Sequence, residues 1–439
     1  MRQAYHFLGI GGIGMSALAH VLHERGDKVS GFDIKGASHL HEIGITLTQT
    51  PPEHSTIVYS SAIMRDHPDL IVAKRRHFPL MHRSDLLRVL LRDKLSLLVT
   101  GTHGKTSTSA LLSWVLKFAG LQPTYAVGGI LRNFNKNGGM GMGPYFVAEA
   151  DESDGSFLNY HGHGAIITNI EKEHLDYWKT EKKLIMGFEH FMTRVKNSDL
   201  LFWNGDDPIL RRLNFPGISY GKSGALCMQA RKQQGVKEVF TATFKGNCYS
   251  NIELPLIGEP NVLNALAVFG MALQIGISDK EIRQAFLSYR GVKRRLEKIG
   301  EINRIVLYDD YAHHPTEVRV VIAALREVYK KRRLIMLFQP HRYTRIQMLD
   351  FSESFDLADL VIITDIYAGG ERMIEGVDAA SFQKRLRCNN TIYLPRKNLS
   401  FFLPKMLVPG DVLVVAGAGD ISDLNVKELL NNSAMHHDH

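Results

Sequence analysis

Cysteine is scarce in this sequence, which contains only Cys227, Cys248 and Cys388 among 439 residues. Three widely spaced thiols form neither a disulfide framework nor the paired pattern of a zinc site, so they indicate a reducing compartment. Long hydrophobic runs are also missing, because no stretch approaches the ~18 apolar residues of a membrane-spanning helix. No early segment has the length and flanks of a signal peptide. We therefore expect a cytoplasmic protein with no membrane insertion.

The sequence also lacks the usual signatures of nucleic-acid binding, since it has no arginine-rich arm, helix-turn-helix or zinc pattern. Its net charge is +8 and its isoelectric point is about 9.2, a balance that suits the binding of anionic metabolites. We expect no nucleic-acid partner. The composition is 44% hydrophobic and 22% charged, and the length allows two to four globular domains.

The most informative segment that is present is a glycine loop between a predicted strand, residues 95–99, and a predicted helix that includes residues 110–118. Backbone N–H groups of such a loop close around phosphate, a lysine reaches the β- and γ-phosphates, and the next hydroxyl can ligate Mg²⁺. Val99 stands where the longer form of this motif has its first glycine. The alternative is a plain glycine turn with a solvated lysine. The loop residues are Gly101, Thr102, His103, Gly104, Lys105, Thr106 and Ser107.

A second glycine cluster follows a predicted strand at residues 5–8, and Gly9, Gly11 and Gly14 match the pattern G-x-G-x-x-G. A further predicted strand, residues 28–32, ends in Asp33, at about the spacing of an acid that binds a ribose hydroxyl. The pattern suits NAD, but any nucleoside diphosphate satisfies the same chemistry. Simple helix packing by the glycines is the remaining alternative.

Strand-like and helix-like runs alternate along the chain, which predicts α/β layers with largely parallel sheets. The first block extends to about residue 92, the second begins at Leu95 and the third begins near Glu297. Within the second block, residues 237–249 read as an antiparallel meander. Predicted strands at 305–308, 334–338, 360–363 and 412–415 each end in polar residues, at the sheet edge where ligands of open α/β sheets bind.

Candidate metal and nucleotide groups follow further predicted strands of the second block. Glu149 comes after a strand at 145–148, and His174 lies shortly after a strand at 165–168, so either could hold Mg²⁺ or substrate beside the phosphate loop. Asn261 and Asn264 are one turn apart on a predicted helix and point the same way. Each of these residues alone is more often a surface group, and a helix cap would be the simplest account of Asn261.

The third block is rich in cations. Arg294 and Arg295 lie at its border, where an arginine can offset charge that develops during phosphoryl transfer, although ordinary linker charge is the alternative. His313, His314, His341, Arg342 and Arg345 add a cationic rim, which suits a second substrate that carries a carboxylate.

Taken in order, these motifs resemble those of the Mur ligases over almost the whole chain. They read GIGGIGMS at 9–16, GTHGKT at 101–106, EADESD at 149–154, NIEKEH at 169–174, NVLN at 261–264, DDYAHHPTE at 309–317 and HRYTR at 341–345. The resemblance implies an α/β fold with a Rossmann-like N-terminal domain, a P-loop ATPase-like central domain and a Rossmann-like C-terminal domain. The implied boundaries are 1–94, 95–296 and 297–439.

The same resemblance implies a ligase that uses ATP and Mg²⁺, and the motifs are most similar to the branch that joins L-alanine to UDP-N-acetylmuramate. The first domain would bind the UDP-sugar, the second ATP and the third the amino acid. We expect a monomer or a weak homodimer. Several Mur ligases carry a carbamylated lysine soon after the position of His174. Here Glu189 stands about there, which leaves a second metal site open.

The residues carried over by position fall into five groups. The catalytic group is Lys105, Glu149, His174, Asn264, Arg295 and Asp310. The ATP group is the loop 101–107 with Asn261, Asn264, Arg295 and Asp310. The UDP-sugar group is Gly11, Gly12, Ile13, Gly14, Asp33, Ser60 and Ser61. The amino-acid group is His313, His314, Arg342 and Arg345. The metal group is Thr106, Glu149 and His174.

Three alternatives remain at this point. A recycling ligase would join a preformed peptide to the same nucleotide sugar, but a different first glycine loop and a roomier third domain are expected for it. An NAD-binding sensor or dehydrogenase would use the first glycine loop and leave Lys105, Glu149 and Asn261 unexplained. A non-catalytic scaffold that binds ATP would be favoured if the lysine or the carboxylate were missing, and both are present.

Overall fold

The computed structural model describes residues 2–34, 36–64, 66–388 and 390–434. Three sheets organise these residues, and each sheet falls within one of the three predicted segments. By their internal contacts the residues form two compact units. The first unit comprises residues 1–232, 239–255 and 261–291, and the second comprises 233–238, 256–260 and 292–439. The first two sheets therefore share one unit, and the exact limits of the three segments stay a prediction.

The first sheet has five strands in the order β3-β2-β1-β4-β5, all paired in parallel. The predicted strands at 5–8 and 28–32 are confirmed. Its strands are β1 Ala4–Leu8, β2 Lys28–Phe32, β3 Thr46–Leu47, β4 Thr56–Tyr59 and β5 Leu80–His82. Its helices are α1 Ile13–Arg25, α2 Ser38–His41, α3 Pro68–Arg75 and α4 Arg83–Leu91.

The second sheet has ten strands in the order β15-β14-β13-β12-β11-β10-β6-β9-β7-β8. The strands are β6 Leu95–Thr100, β7 Thr124–Leu131, β8 Lys136–Gly139, β9 Tyr145–Glu149, β10 Gly164–Ile167, β11 Leu201–Asn204, β12 Ile218–Gly221, β13 Leu226–Gln234, β14 Lys237–Phe244 and β15 Asn247–Leu254. The last three are sequential neighbours, as the predicted meander requires. Its helices are α5 Lys105–Phe118, α6 Leu175–Trp178, α7 Glu181–Thr193, α8 Pro208–Leu213, α9 Glu259–Ile275 and α10 Asp279–Leu287.

The third sheet has six strands in the order β16-β17-β21-β18-β19-β20, and only the β16–β17 pair is antiparallel. Buried apolar clusters cover both of its faces, which explains why its central strands are continuously apolar. The strands are β16 Glu297–Ile302, β17 Ile305–Asp310, β18 Leu334–Phe338, β19 Leu360–Ile363, β20 Thr391–Tyr393 and β21 Val412–Ala416. Its helices are α11 Pro315–Val328, α12 Tyr343–Met348, α13 Ala379–Lys384, α14 Leu399–Met406 and α15 Val426–Ala434.

Helix α1 of the first sheet packs directly against β8 of the second. A Cβ atom at Gly138 would lie 2.1 Å from the backbone oxygen of Ala17, so only glycine permits this approach. The buried side chain of Asn137 donates to the backbone oxygen of Ile13, at 2.6 Å, and so holds the first turn of α1. The first glycine loop is thereby anchored to the sheet that carries the phosphate loop.

In the part of the chain that the structure describes, four single-turn 3₁₀ helices lie at Ser156–Asn159, Ser198–Leu200, Arg396–Asn398 and Asp420–Asp423. Within the described ranges, none of the helices is long and apolar enough to span a bilayer.

Candidate active site

The phosphate loop connects β6, an interior strand of the ten-stranded sheet, to α5. Gly101 and Gly104 have φ angles of 129° and 86°, in the left-handed region that favours glycine. A Cβ atom at Gly101 would lie 2.1 Å from the hydroxyl of Thr168, the residue after β10, so the loop passes too close to this residue for any side chain at Gly101. The two glycines therefore let the chain turn tightly, so that the N-terminus of α5 faces the loop, as an anion-binding site requires.

Residues that follow β10 hold the loop in this shape. The backbone N–H of His103 donates to Oδ1 of Asn169 at 2.9 Å, and the hydroxyl of Thr168 donates to the His103 carbonyl at 2.6 Å. The backbone N–H of Thr102 donates to the Asn169 carbonyl at 3.0 Å. The His103 imidazole lies 2.9 Å from a carboxylate oxygen of Glu171. Because these bonds engage backbone groups on both sides of the turn, the loop is preorganised.

Lys105 is the first residue of α5, and its ammonium group folds back over the loop. It donates to the carbonyl oxygens of Gly101, at 2.6 Å, and Thr102, at 3.2 Å. It also contacts both carboxylate oxygens of Glu152, at 2.7 and 3.0 Å. Burial by itself lowers the pKa of Lys105, but the charges of Glu152 and Asp151 outweigh it and raise the pKa above its ordinary value. Lys105 therefore stays charged.

Thr106 and Glu149 meet at Gly128 of strand β7. The Thr106 hydroxyl donates to Oε2 of Glu149 at 3.3 Å, the Ser109 hydroxyl donates to Oε1 at 3.2 Å, and the backbone N–H of Gly128 also donates to Oε1. A carboxylate and a hydroxyl side by side are hard oxygen ligands of the kind that Mg²⁺ prefers. Thr106 and Glu149 therefore fit the predicted magnesium site.

His174 lies beside a different carboxylate. It has a φ of 56° and immediately precedes α6, and its Nε2 atom is 4.0 Å from Oε1 of Glu152 and 3.8 Å from Oε2 of Glu173. The three residues predicted as metal ligands thus occupy two places. Thr106 and Glu149 meet at Gly128, whereas His174 lies beside Glu152, the carboxylate that pairs with Lys105.

Asn264, on helix α9, lies against the phosphate loop. A Cβ atom at Gly104 would come within 3.1 Å of both polar atoms of the Asn264 side chain. Asn261 is one turn earlier on the same helix and is half-buried. Of the two amides that were predicted to point the same way, Asn264 thus lies against Gly104 of the phosphate loop.

The first glycine loop is closed by Asp33. The backbone N–H of Gly11 donates to Oδ2 of Asp33 at 2.9 Å, and a Cβ atom at Gly11 would lie 2.8 Å from the carbonyl oxygen of Gly36. Gly12 precedes α1 and Ile13 begins it, with 45% of the Ile13 surface exposed. The Asp33 carboxylate thus orders the loop on which a diphosphate is predicted to bind.

Two residues of the first segment, Ser61 and Arg83, contact the residues that follow β9. The Ser61 hydroxyl donates to Oδ2 of Asp154 at 2.5 Å. The Arg83 guanidinium lies 3.2 Å from Asp151 and 3.5 Å from Asp154, and a Cβ atom at Gly14 would lie 3.5 Å from it. Sequence reasoning missed Arg83, although its position directly after the short strand β5 marks it as a residue at the ligand-binding edge.

In the second unit, Asp310 ends strand β17 and is buried. Its carboxylate accepts the backbone N–H groups of Leu296 and Ala312, and burial raises its pKa to about 6 against the opposing charge of Arg295. The Arg295 guanidinium lies 5.0 Å from the centre of the Tyr311 ring. Asp310 and Arg295 are therefore neighbours, as their shared assignment to ATP requires.

The predicted amino-acid residues largely gather at the carboxyl edge of the third sheet. The rings of His313 and His341 are 5.7 Å apart, and a guanidinium nitrogen of Arg345 lies 3.0 Å from Nδ1 of His341. Burial and the charges of His313 and Arg345 lower the pKa of His341 to about 3. Arg342 instead pairs with Glu371, its Nε donating at 2.6 Å.

His314 occupies a different environment from its neighbour in sequence. It is buried and caps α11, because its Nδ1 accepts the backbone N–H of Thr316 at 3.3 Å. Its backbone N–H donates to the Glu317 carboxylate, which completes a capping box. The structure thus gives His314 a helix-capping position, while His313 faces His341.

Family comparisons match all three segments. The family model described as "Mur ligase family, catalytic domain" matches residues 4–95. The one described as "Mur ligase middle domain" matches residues 99–272. The one described as "Mur ligase, glutamate ligase domain" matches residues 294–419.

Curated relatives match along nearly the whole chain. The chain is 42% identical to the UDP-N-acetylmuramate–L-alanine ligase of Protochlamydia amoebophila, covering 96% of both sequences. It is 39% identical to a bifunctional enzyme MurC/Ddl of Chlamydia caviae, of which it covers 54%. Among solved structures, the UDP-N-acetylmuramate-alanine ligase of Thermotoga maritima superimposes with a TM-score of 0.84 at 28% identity, over 99% of this chain and 100% of that one.

Proposed function

The chain belongs to the Mur ligase family, and on that premise we propose that it is an ATP-dependent ligase that joins L-alanine to the lactyl carboxylate of UDP-N-acetylmuramate. This reaction makes a precursor of peptidoglycan. The observation that carries the proposal is the preorganised phosphate loop with its charged Lys105, in a chain that matches alanine ligases end to end.

The reaction has two displacement steps. A lactyl carboxylate oxygen attacks the γ-phosphorus of ATP, so that an acyl phosphate forms and ADP leaves. The amine of L-alanine then attacks the acyl carbon, the amide bond forms, and phosphate leaves with the electron pair of the broken C–O bond while the amine loses a proton. The protein acts by orienting these reactants and by offsetting negative charge, and orientation alone can contribute about 7–11 kcal/mol.

Three segments divide this work in our proposal. Residues 1–94 bind the UDP-sugar through the first glycine loop, Asp33, Ser60 and Ser61. Residues 95–296 bind ATP through the loop 101–107 with Asn261 and Asn264. Residues 297–439 bind L-alanine through the cationic rim of His313, His314, Arg342 and Arg345, and they contribute Asp310 to ATP. Support comes from the local contacts of each set and from the motif order shared with the family.

For magnesium we propose Thr106 and Glu149 as the holding residues, because their oxygens lie together beside the loop that receives phosphate. When bound there, the ion offsets the charge of the ATP phosphates. His174 is proposed as a second polar group on the substrate side, next to Glu152. We further propose that the reaction takes place in the cytoplasm and that the chain is a monomer or a weak homodimer.

The deciding experiment measures phosphate release from ATP with each substrate omitted in turn. We expect release only when UDP-N-acetylmuramate and L-alanine are both present. Competition between L-alanine and a tripeptide in the same assay then separates the alanine ligase from a peptide-recycling ligase. Turnover without dependence on the UDP-sugar, or preference for the tripeptide, would contradict the proposal. Tight NADH binding to the first glycine loop would favour the dehydrogenase alternative instead.

A further inference from the structure

Glu152 is a buried carboxylate that the ligation chemistry does not use. Its side chain is 1% exposed, and both of its oxygens face the ammonium group of Lys105. Its backbone oxygen accepts the indole N–H of Trp178 at 3.0 Å, so helix α6 fixes this part of the segment after β9. A carboxylate in such a place needs a partner, because an unpaired buried charge is costly.

The contacts of Lys105 leave no donor for a nucleotide. An ammonium group has three N–H donors, and four oxygen acceptors surround this one: the carbonyls of Gly101 and Thr102 and the two oxygens of Glu152. Lys105 can therefore reach the phosphates of ATP only by giving up some of these acceptors. The loop carbonyls move with the loop, whereas Glu152 belongs to a separate segment, so the carboxylate is the contact that can be exchanged.

A second donor lies next to Glu152. The Nε2 atom of His174 is 4.0 Å from Oε1 of Glu152, which is beyond hydrogen-bond distance. His174 directly precedes the helix whose Trp178 fixes the backbone of Glu152. A small movement of the imidazole would let it donate to the carboxylate. The buried charge would then keep a partner after Lys105 turns to the nucleotide.

From this geometry we propose that Glu152 is a positioning residue that holds Lys105 in a resting place against the phosphate loop. When ATP binds, its phosphates replace Glu152 as the partner of Lys105, and His174 replaces Lys105 as the partner of Glu152. The exchange orients the lysine and the histidine in one step. This inference rests on the proposed function, since it requires that the loop binds ATP.

The test is Glu152→Gln, which keeps the size of the side chain and one carbonyl acceptor but removes the charge that competes with phosphate. We expect the variant to bind a non-hydrolysable ATP analogue with Mg²⁺ about tenfold more tightly by calorimetry, because the charge-assisted contact that must be broken is replaced by a weaker neutral one. We also expect the KM for ATP to fall together with kcat, since His174 loses its charged acceptor. A merely structural role would instead weaken nucleotide binding and thermal stability together.

The matched control is Glu173→Gln, because Glu173 also lies near His174, at 3.8 Å. It should leave the affinity for the ATP analogue unchanged. Affinity for UDP-N-acetylmuramate verifies that each variant is folded. If Glu152→Gln does not fold, Glu152→Asp keeps the charge but withdraws it by one methylene, and it should show a smaller gain in nucleotide affinity.

Unchanged or weaker binding of the analogue by a folded Glu152 variant would overturn the exchange. The two levels of the hypothesis fail in different ways. A wild-type chain that binds no ATP analogue would refute the proposed function and the exchange with it, whereas normal wild-type binding with no gain in the variant refutes the exchange alone.

Discussion

Gly128→Ala offers a sharp test of the proposed magnesium site, because this glycine leaves the space in which Thr106 and Glu149 meet. An added Cβ atom would lie 2.7 Å from Oε2 and 3.0 Å from Oε1 of Glu149, and 3.0 Å from the Thr106 hydroxyl. To restore an ordinary contact of 3.4 Å, the nearer carboxylate oxygen would have to move by about 0.7 Å. Gly128 has an ordinary backbone φ, so alanine strains the oxygen cluster and not the strand.

The size of the effect follows from this displacement. A misplacement of about 1 Å can cost about 10²-fold in rate, so we expect kcat/KM for ATP to fall by roughly that factor, or about 2.7 kcal/mol in transition-state stabilisation. Overpacking should also lower the free energy of unfolding by about 1–3 kcal/mol. The affinity for UDP-N-acetylmuramate should not change, since Gly128 does not belong to the first glycine loop.

The assay is steady-state phosphate release with ATP and Mg²⁺ varied independently, so that a weakened metal site appears as a higher Mg²⁺ requirement. The matched control is Gly300→Ala, where an added Cβ atom meets only the flexible side chain of Lys427, at 3.7 Å or more. The control should keep wild-type activity. A folded Gly128→Ala protein within threefold of wild-type kcat/KM, at the same Mg²⁺ requirement, would refute our assignment of Thr106 and Glu149.

Three further predictions concern single side chains. Lys105→Ala should abolish ligation while UDP-N-acetylmuramate binding, measured by calorimetry, stays near normal, and near-normal turnover would contradict our assignment of the phosphate loop. Asp33→Ala should weaken UDP-N-acetylmuramate binding and leave ATP affinity nearly unchanged, because the carboxylate orders the Gly11 backbone of the first loop; unaltered UDP-sugar affinity would remove Asp33 from the site. Asp310→Asn should stabilise the protein more at pH 7.5 than at pH 4.5, because burial raises the pKa of Asp310 from 3.8 to about 6. Ionisation of the buried Asp310 therefore costs the wild-type protein no stability at low pH. The cost grows as the pH rises from 3.8 to about 6 and reaches at most about 3 kcal/mol above that range. Urea unfolding that gives the same stability difference between variant and wild type at pH 4.5 and pH 7.5 would rule this out.

Much of the architecture was accessible from local sequence patterns. The predicted strands at 28–32, 334–338 and 360–363 coincide with β2, β18 and β19. A buried parallel strand is a mainly apolar run, and the turn residues on either side of the run mark where the strand begins and ends. The strand–loop–helix setting of the phosphate loop was equally readable, since its two glycines and its lysine all lie within residues 101–105. Motif order then indicated the family, which the comparisons confirm.

The partners of these side chains were decided only by the tertiary structure. Lys105 and Glu152 are 47 residues apart, and no periodicity relates them. They meet because β9 is the neighbour of β6 in the sheet, so that the segment after β9 is brought beside the phosphate loop. Arg83 begins α4 in the preceding segment, and it meets Asp151 and Asp154 because α4 packs against the 3₁₀ helix that follows them.

Sequence motifs also could not distinguish two adjacent residues with the same side chain. His313 and His314 look equivalent in the sequence, yet one faces His341 and the other caps α11. The difference arises because the strand has ended and the helix begins at Pro315, so that successive side chains leave the backbone in unrelated directions. Thus the sequence by itself determined which chemical groups this protein carries and in which order. The packing of sheets and helices decided which of them meet, because contact between distant residues depends on strand order and on the space that glycines leave.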